Sequence, residues 1–404
     1  MPLTKFPGNI LGVGINPLQA PNAPTSVTAA GGDASATVTF TAPANVGGSA
    51  ITGYTGQSNP GGIAATASAS PLTFSGLTNG TSYTFNVWAL NSYGPSPAGG
   101  PSGAVSPSAP RGVFGGQNGG GNVMDYVAIT TTGNAIDFGD LVAGKAGPGA
   151  CASSTRGIFA GGTNSSGFVV NSIDYITIST AGNAISFGAL ANTLWAPGGC
   201  SSSTRGVFGG GYTASTNNET NVIDFITIAT TGNASSFGQL SQARMYVASC
   251  ASTTRGIFAG SYRNSTDTLT NVIDYITIAS TGNATDFGDL SVARKAPAGF
   301  SSSTRGVFGG GDVSGSYSDT IDYITIATTG NAANFGTLTQ ARYYLGGCST
   351  TTRGLFGGGY ATVGSVNTID YVTIGSAGSA TDFGDLTVSR FALAACSSAH
   401  GGLS

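Results

Sequence analysis

The sequence predicts an all-β fold, much of it built from repeats, on three observations. Gly, Ala, Ser, Thr and Asn are abundant, with 66 glycines in 404 residues. Glycine and short polar residues supply turns, and β-branched residues suit pleated strands. No long helical pattern is present, and no apolar run approaches the roughly 18 residues of a membrane span. One apolar word ending in glycines, "TRGVFGGG" at Thr304–Gly311, recurs along the chain. With 40% apolar residues, 9% aromatics and a net charge of −3, the chain has the means to bury a core and lacks the high net charge of a disordered one. It carries no basic footprint, so neither nucleic acid nor a membrane is an expected partner.

The repeat has six copies. The glycine word begins at Arg111, Arg156, Arg205, Arg255, Arg305 and Arg353, spacings of 45, 49, 50, 50 and 48 residues. Each copy then carries an aspartate followed by an aromatic residue, as at Asp174-Tyr175. A "TTGNA" turn comes next, then an "FGDL" word, a variable stretch and a small-residue segment such as "GGCSSSTRG". "RGVFGG" reads as a short strand whose glycines let backbones approach closely. "VIDYITIAT" is a strand packed on both faces, "TGNA" a tight turn between strands, and "FGDL" a short outer strand. The small-residue segment is a strand for a crowded place. Four strands per repeat cannot bury their faces alone and must stack, which fits a β-propeller.

The order of these words resembles the kelch repeat, in which an apolar strand ends in Gly-Gly and is followed by a Tyr and a later aromatic residue. The outer aromatic here is Phe (Phe138, Phe187, Phe237, Phe287, Phe335, Phe383), where kelch repeats usually carry Trp. The first repeat starts at its glycine strand and lacks a small-residue strand, while the chain ends in a small-residue segment with no glycine strand after it. Residues Arg390–Ser398 are therefore expected to complete the first blade and close a six-bladed ring. An unclosed ring would leave two sheet edges open.

Ahead of the repeats, residues 21–108 resemble a fibronectin type III domain. Leu77 and Tyr83 in "LTFSGLTNGTSYTFNVWALNSYGPSP" match the tyrosine-corner region, and Asn91, Gly94 and Pro95 match the end of the strand pair. The usual inner Trp of the second strand is absent, with Phe40 nearby. The resemblance implies a spacer or binding module. The expected fold is an N-terminal fibronectin type III β-sandwich followed by a six-bladed kelch-like β-propeller closed by the C-terminal strand. The expected divisions are an anchoring arm over 1–20, the sandwich over 21–108 and the propeller over 109–404.

The six repeated Asp and the six Arg of the glycine words read as in-blade pairs or turn anchors, because a unique active site does not need six copies. Cys151, Cys200, Cys250, Cys348 and Cys396 share one position, which Phe300 takes in the remaining repeat. They read as free, buried thiols, and no cofactor or metal is expected. His400 is the only histidine and Glu219 the only glutamate. That disfavours a Ser-His-Asp triad or a His-based metal site, leaving a pair of loop aspartates (Asp267, Asp312, Asp319) as the route to a glycan hydrolase. The expectation is a protein without catalytic residues.

The copies differ mainly in two connections, the hairpin after the glycine strand and the loop after "FGDL", which strand alternation puts on one face. Divergent loops on a constant scaffold are a usual place for recognition. They carry Tyr212, Tyr262, Arg263, Tyr317 and Tyr360 in the first set, and Trp195, Tyr246, Tyr343 and Tyr344 in the second. Tyr with Ser, Asn and Gly is a composition favoured in adaptable binding surfaces. Lys145, Arg244, Arg294, Arg342 and Arg390 share one position, interrupted by Leu194. Read as a ring near a central mouth, they would capture carboxylate or phosphate groups of a glycan. The alternative is local pairing with Asp140, Asp289 and Asp385, five residues upstream in three repeats.

The start, "MPLTKFPGNILGVGINPLQAP", lacks a signal peptide's apolar stretch and cleavage site, so synthesis in a host cytoplasm is expected. A short arm, a spacer sandwich and a Gly/Ser/Thr-rich propeller resemble accessory proteins of bacteriophage virions. The resemblance implies a non-enzymatic fibre or appendage protein of the virion. Its arm would bind other virion proteins and its divergent face a host surface glycan or receptor; a homo-oligomer is compatible with this. The rivals are a decoration protein that only packs on virion neighbours, a propeller glycan hydrolase, and a cellular kelch-type protein-binding adaptor.

Overall fold

A computed structural model describes residues 18–403, so most of the expected arm lies outside the described residues. These residues are all-β, with one 3-10 turn at Gly401–Leu403. Among them no helix is long and apolar enough to cross a membrane. They form two compact units that divide between Ala109 and Pro110.

The first unit is a sandwich of two antiparallel sheets. One contains Thr25–Gly32, Ser35–Thr41 and Leu72–Ser75; the other contains Ala64–Ala67, Gly53–Asn59, Thr84–Asn91 and Gly94–Pro95. Burial alternates residue by residue along Ser35–Thr41 and Thr84–Asn91, as a half-buried strand requires. The core is Val38, Leu72, Phe74, Phe85 and Val87. Phe40 packs on Tyr54 with ring centroids 4.7 Å apart, filling space without a tryptophan. Tyr83 accepts a hydrogen bond from the Thr78 amide at 3.1 Å, tying the crossing loop to the strand that follows it.

The second unit holds six four-stranded antiparallel sheets. In sheet 2 the strands are Gly149–Ala152, Arg156–Ala160, Ser172–Thr177 and Ile185–Ala189, adjacent in that order. Sheets 3 to 6 repeat this plan from Gly198–Ser201, Ala248–Ala251, Ala298–Ser301 and Gly346–Ser349. Sheet 1 takes its first strand from the far end of the chain. Ala394–Ser397 pairs with Arg111–Gln117, Ala394 opposite Gly115 and Ser397 opposite Gly112.

A bulge recurs where the third strand meets the outer one, as between Ile173 and Asp174 opposite Gly188 and Ser186. The extra residue is the outer Phe, which the bulge turns into the core. It meets the aromatic ring of the third strand edge-on, at 5.9–6.1 Å between centroids in all six sheets.

Side chains at repeated positions act mostly on the next sheet. The apolar clusters lie between sheets: Phe187 and Ile158 of sheet 2 pack with Phe208 and Ile226 of sheet 3. Phe383 and Leu355 of sheet 6 pack with Phe114 and Val127 of sheet 1. The "TTGNA" segment is a docking arm rather than the expected tight hairpin. Gly182 N donates to Phe138 O, and the series runs on through all six repeats until Gly133 N donates to Phe383 O. The sequence places Gly and Asn there for reach: Asn183, Asn233, Asn283, Asn331 and Asn134 each accept from an outer-strand amide of the preceding sheet.

Of the two expectations for the arginines of the glycine words, pairing with the repeated aspartates is corrected, and turn anchoring is what they do, on the next sheet. Each guanidinium lies 4.4–4.7 Å from the ring that follows the aspartate. It also donates to carbonyls of the next sheet, Arg156 to Ile228 and Ala229, and Arg353 to Ile129 and Thr130. All five cysteines are free and buried. Burial raises the thiols of Cys200 and Cys396 to about 12.

Each thiol is seated against the glycine that follows the arginine of the next sheet. A Cβ at Gly157 would sit 2.6 Å from Cys396 Sγ, and one at Gly112 would sit 2.6 Å from Cys348 Sγ. Close approach, not backbone conformation, demands glycine there. Gly157→Ala is expected to cost about 1–3 kcal/mol through overpacking, measured by denaturant unfolding. Adding Cys396→Ala should restore most of that loss, although the two positions are far apart in sequence. Additive losses would show that they do not touch.

Candidate functional site

The antiparallel order puts the short "SSTRG" turns and the "TTGNA" arms at one end of the sheets. The divergent hairpins and loops lie at the other. Bridges such as Trp195 to Tyr212, Met245 to Tyr262 and Tyr343 to Tyr360 join five of the six loops to a hairpin. Small-residue first strands of the six sheets line two cavities, one towards each end.

At the constant end the cavity is stopped by the C-terminal turn. His400 Nε2 lies 3.0 Å from Ala152 O, and Nδ1 accepts from Gly402 N at 3.1 Å, which makes Nε2 the donor. Burial lowers its pKa to about 4, so the ring stays neutral. The side chain is a plug: the Ser201 hydroxyl lies 3.3 Å from Nε2 but donates to Ala152 O at 2.7 Å, and among the described residues no carboxylate pairs with the ring as in a triad.

At the divergent end a mouth of about 120 Å³ is lined by Gly147, Ala196, Tyr246, Ala296, Tyr344 and Ala392. These six residues form a cycle of backbone hydrogen bonds. Ala196 N donates to Gly147 O at 2.9 Å, and the series continues until Gly147 N donates to Ala392 O at 2.7 Å. All six have left-handed backbone, Tyr246 at φ 61° and Tyr344 at φ 56°. For a bulky residue that conformation is an outlier, tolerated where surrounding structure over-determines it. The hydrogen-bonded cycle supplies that constraint.

From these two tyrosines a continuous aromatic band spreads outward. Trp195 and Tyr344 each meet Tyr246 edge-on at 5.2 Å, and Tyr343 lies 4.6 Å from Tyr344. Tyr317 stacks on Tyr343 at 5.0 Å, and Tyr360 lies 5.9 Å from Tyr343. Tyr212 and Tyr262 extend the other side through Trp195 and Tyr246. All eight are half-buried. Burial raises the Tyr246 phenol to about 12 and pushes Tyr344 higher still. Phe391, 4.9 Å from Tyr360, belongs to the band and was missed by sequence reasoning; its alignment with Tyr343 in the divergent loop was the available signal. Arg263 is half-buried on the hairpin beside Tyr262.

The expected ring of ligand-capturing cations is corrected. Lys145, Arg244, Arg294, Arg342 and Arg390 are at most 1% exposed. Their partners are the repeated aspartates of the next sheet, not Asp140, Asp289 or Asp385. Arg244, Arg294, Arg342 and Arg390 reach Asp274, Asp322, Asp370 and Asp125 at 3.0–3.1 Å, and Lys145 lies 3.8 Å from Asp174. A buried cation finds its counter-charge inside rather than offering itself to a ligand. Among the described residues no group of His, Cys, Asp or Glu is arranged to hold a metal.

Leu194 leaves Asp224 as the exception. This carboxylate is 1% exposed, accepts from Ala191 N at 3.1 Å, and has one oxygen without a partner. Asp370, by contrast, receives the Thr339 hydroxyl on Oδ1 and faces Arg342 through Oδ2. Burial raises the Asp224 pKa. A raised carboxyl pKa favours the folded state below about pH 4, and that contribution is lost as pH rises through the folded value. Leu194→Arg should therefore raise the melting temperature over wild type by an increment that grows from pH 4 towards neutrality, read by calorimetry. Ala191→Ser should act in the same direction, more weakly. A pH-independent increment would contradict the assignment.

Comparison with curated proteins gives no significant match. The family model of the fibronectin type III domain matches residues 22–104, so the sandwich ahead of the six sheets is a fibronectin type III domain.

Proposed function

We propose that the six sheets form a kelch-like β-propeller closed by the C-terminal strand, and that this propeller is a non-enzymatic adhesive head. Its mouth binds a host surface glycan, and the chain is a fibre or appendage protein of a bacteriophage virion. One observation carries the reading: a continuous band of nine half-buried aromatic side chains, confined to the divergent end and anchored on two strained tyrosines. Aromatic rings with polar tips offer flat apolar faces to the C–H side of a sugar and hydroxyls to its edge. The cycle of hydrogen bonds beneath them keeps the platform pre-organised, which lowers the ordering cost of binding. The virion assignment rests on the likeness of arm, sandwich and propeller to phage accessory proteins.

A second reading has an observation of its own. Phe168 and Val363, on two divergent hairpins, are 70% and 79% exposed. Apolar tips of this kind suit packing against a protein neighbour, as a decoration protein would require.

Trp195→Ala and Tyr343→Ala are each expected to weaken binding to host cells at least about tenfold, the scale of an aromatic anchor, while the melting temperature shows the variants folded. Unchanged cell binding, with loss of particle-bound protein in Phe168→Ser and Val363→Ser, would favour the packing role. Deleting Met1–Gln19 is expected to abolish association with the particle, measured by co-sedimentation. Full retention would contradict the virion assignment.

A further inference from the structure

We infer that the ligand of the divergent mouth is an electrically neutral glycan, recognised by stacking and by hydrogen bonds to hydroxyls rather than by charge; this rests on the glycan-binding reading above. The charges at that end of the sheets form a short inventory. The five cations that the repeat supplies are buried and engaged with aspartates of the neighbouring sheets. The remaining charges on the divergent hairpins and loops are Arg263 and Lys295 against Glu219, Asp267, Asp312 and Asp319.

Lys295 is already committed. Its ammonium lies 3.8 Å from Asp312 and 5.2 Å from the centre of the Tyr262 ring. Arg263 makes no ion pair among the described residues, and it is a single cation among the acids Glu219, Asp267, Asp312 and Asp319 of the hairpins. Asp267 accepts from the Tyr262 hydroxyl at 2.7 Å, and Glu219 accepts from Ser265, so both acids stay on the protein as acceptors. An anionic sugar arriving here would meet a rim of net negative charge with Arg263 as its one unpaired cation, whereas recognition of carboxylate or phosphate uses convergent cations.

What the mouth does offer is uncharged. Trp195 Nε1 is a buried donor with no acceptor in the protein. Glycine at 147 leaves room for it, since a Cβ there would sit 2.7 Å from that nitrogen. Tyr246, Tyr343 and Tyr344 all have raised phenol pKa values, chiefly through burial, so they remain neutral hydroxyls that both donate and accept. Neutral donors beside stacked ring faces match a hexose or deoxyhexose unit.

The test presents the full chain with immobilised neutral oligosaccharides and with the same backbones carrying sialic acid, uronic acid, sulfate or phosphate. Binding is read between about 0.05 and 0.5 M NaCl, across which surface charge interactions are strongly screened. Binding confined to neutral members, changing less than about twofold with salt and falling at least tenfold in Trp195→Ala, is the expected result. Binding only to charged members, or affinity that drops more than about tenfold with salt, would overturn the inference and leave the glycan reading standing. Binding to no glycan of either kind would overturn both.

Discussion

The structure depends on one constraint: every sheet of the second unit leaves contacts that only its neighbour can complete. A cysteine needs the cleft above the next sheet's glycine, and a buried aspartate needs a cation or hydroxyl from the preceding loop. An arginine needs carbonyls at the end of the next third strand. A row of such units would end with unmatched groups at both ends, each costing free energy when buried. The pairing of Ala394–Ser397 with Arg111–Gln117 removes the ends. Cys396 then fits Gly157 and Arg390 fits Asp125, as their counterparts do elsewhere.

The same neighbour-to-neighbour pattern makes the mouth. Six left-handed residues are held by six hydrogen bonds that run from repeat to repeat and return to their start. The cycle holds Tyr246 and Tyr344 in a backbone that tyrosine otherwise avoids. The scaffold is uniform and the side chains placed on it are not. Repeat-locked contacts use almost all of the buried charge, so the divergent residues are left with aromatic and neutral chemistry.

Much of the fold was legible because its words have strong local meaning. Glycines after arginine, alternating Ile and Thr, and a phenylalanine before glycine gave the strands and their order. The missing first strand and the surplus last segment pointed to each other. The partners of the charged side chains were not legible. A period of about 48 residues says that Arg244 and Asp274 recur, but not that a loop cation belongs to the next sheet; the aspartate five residues upstream was simply nearer in sequence. The same blindness turned an internal ion pair into an apparent ligand ring. The aromatic residues were readable as divergent-loop residues, yet their union into one band depends on the hydrogen-bonded cycle, which has no sequence signature apart from an unremarkable Gly, Ala or Tyr.

Native-state hydrogen exchange at the closure tests the account most directly. The amides of Ala394–Ser397 and Arg111–Gln117 are predicted to open with the same free energy as those of Gly198–Ser201 and Arg205–Gly209, because all belong to one cycle that opens only globally. Fast exchange confined to the first and last strands, with the middle sheets still protected, would mean that the chain ends do not seal the ring.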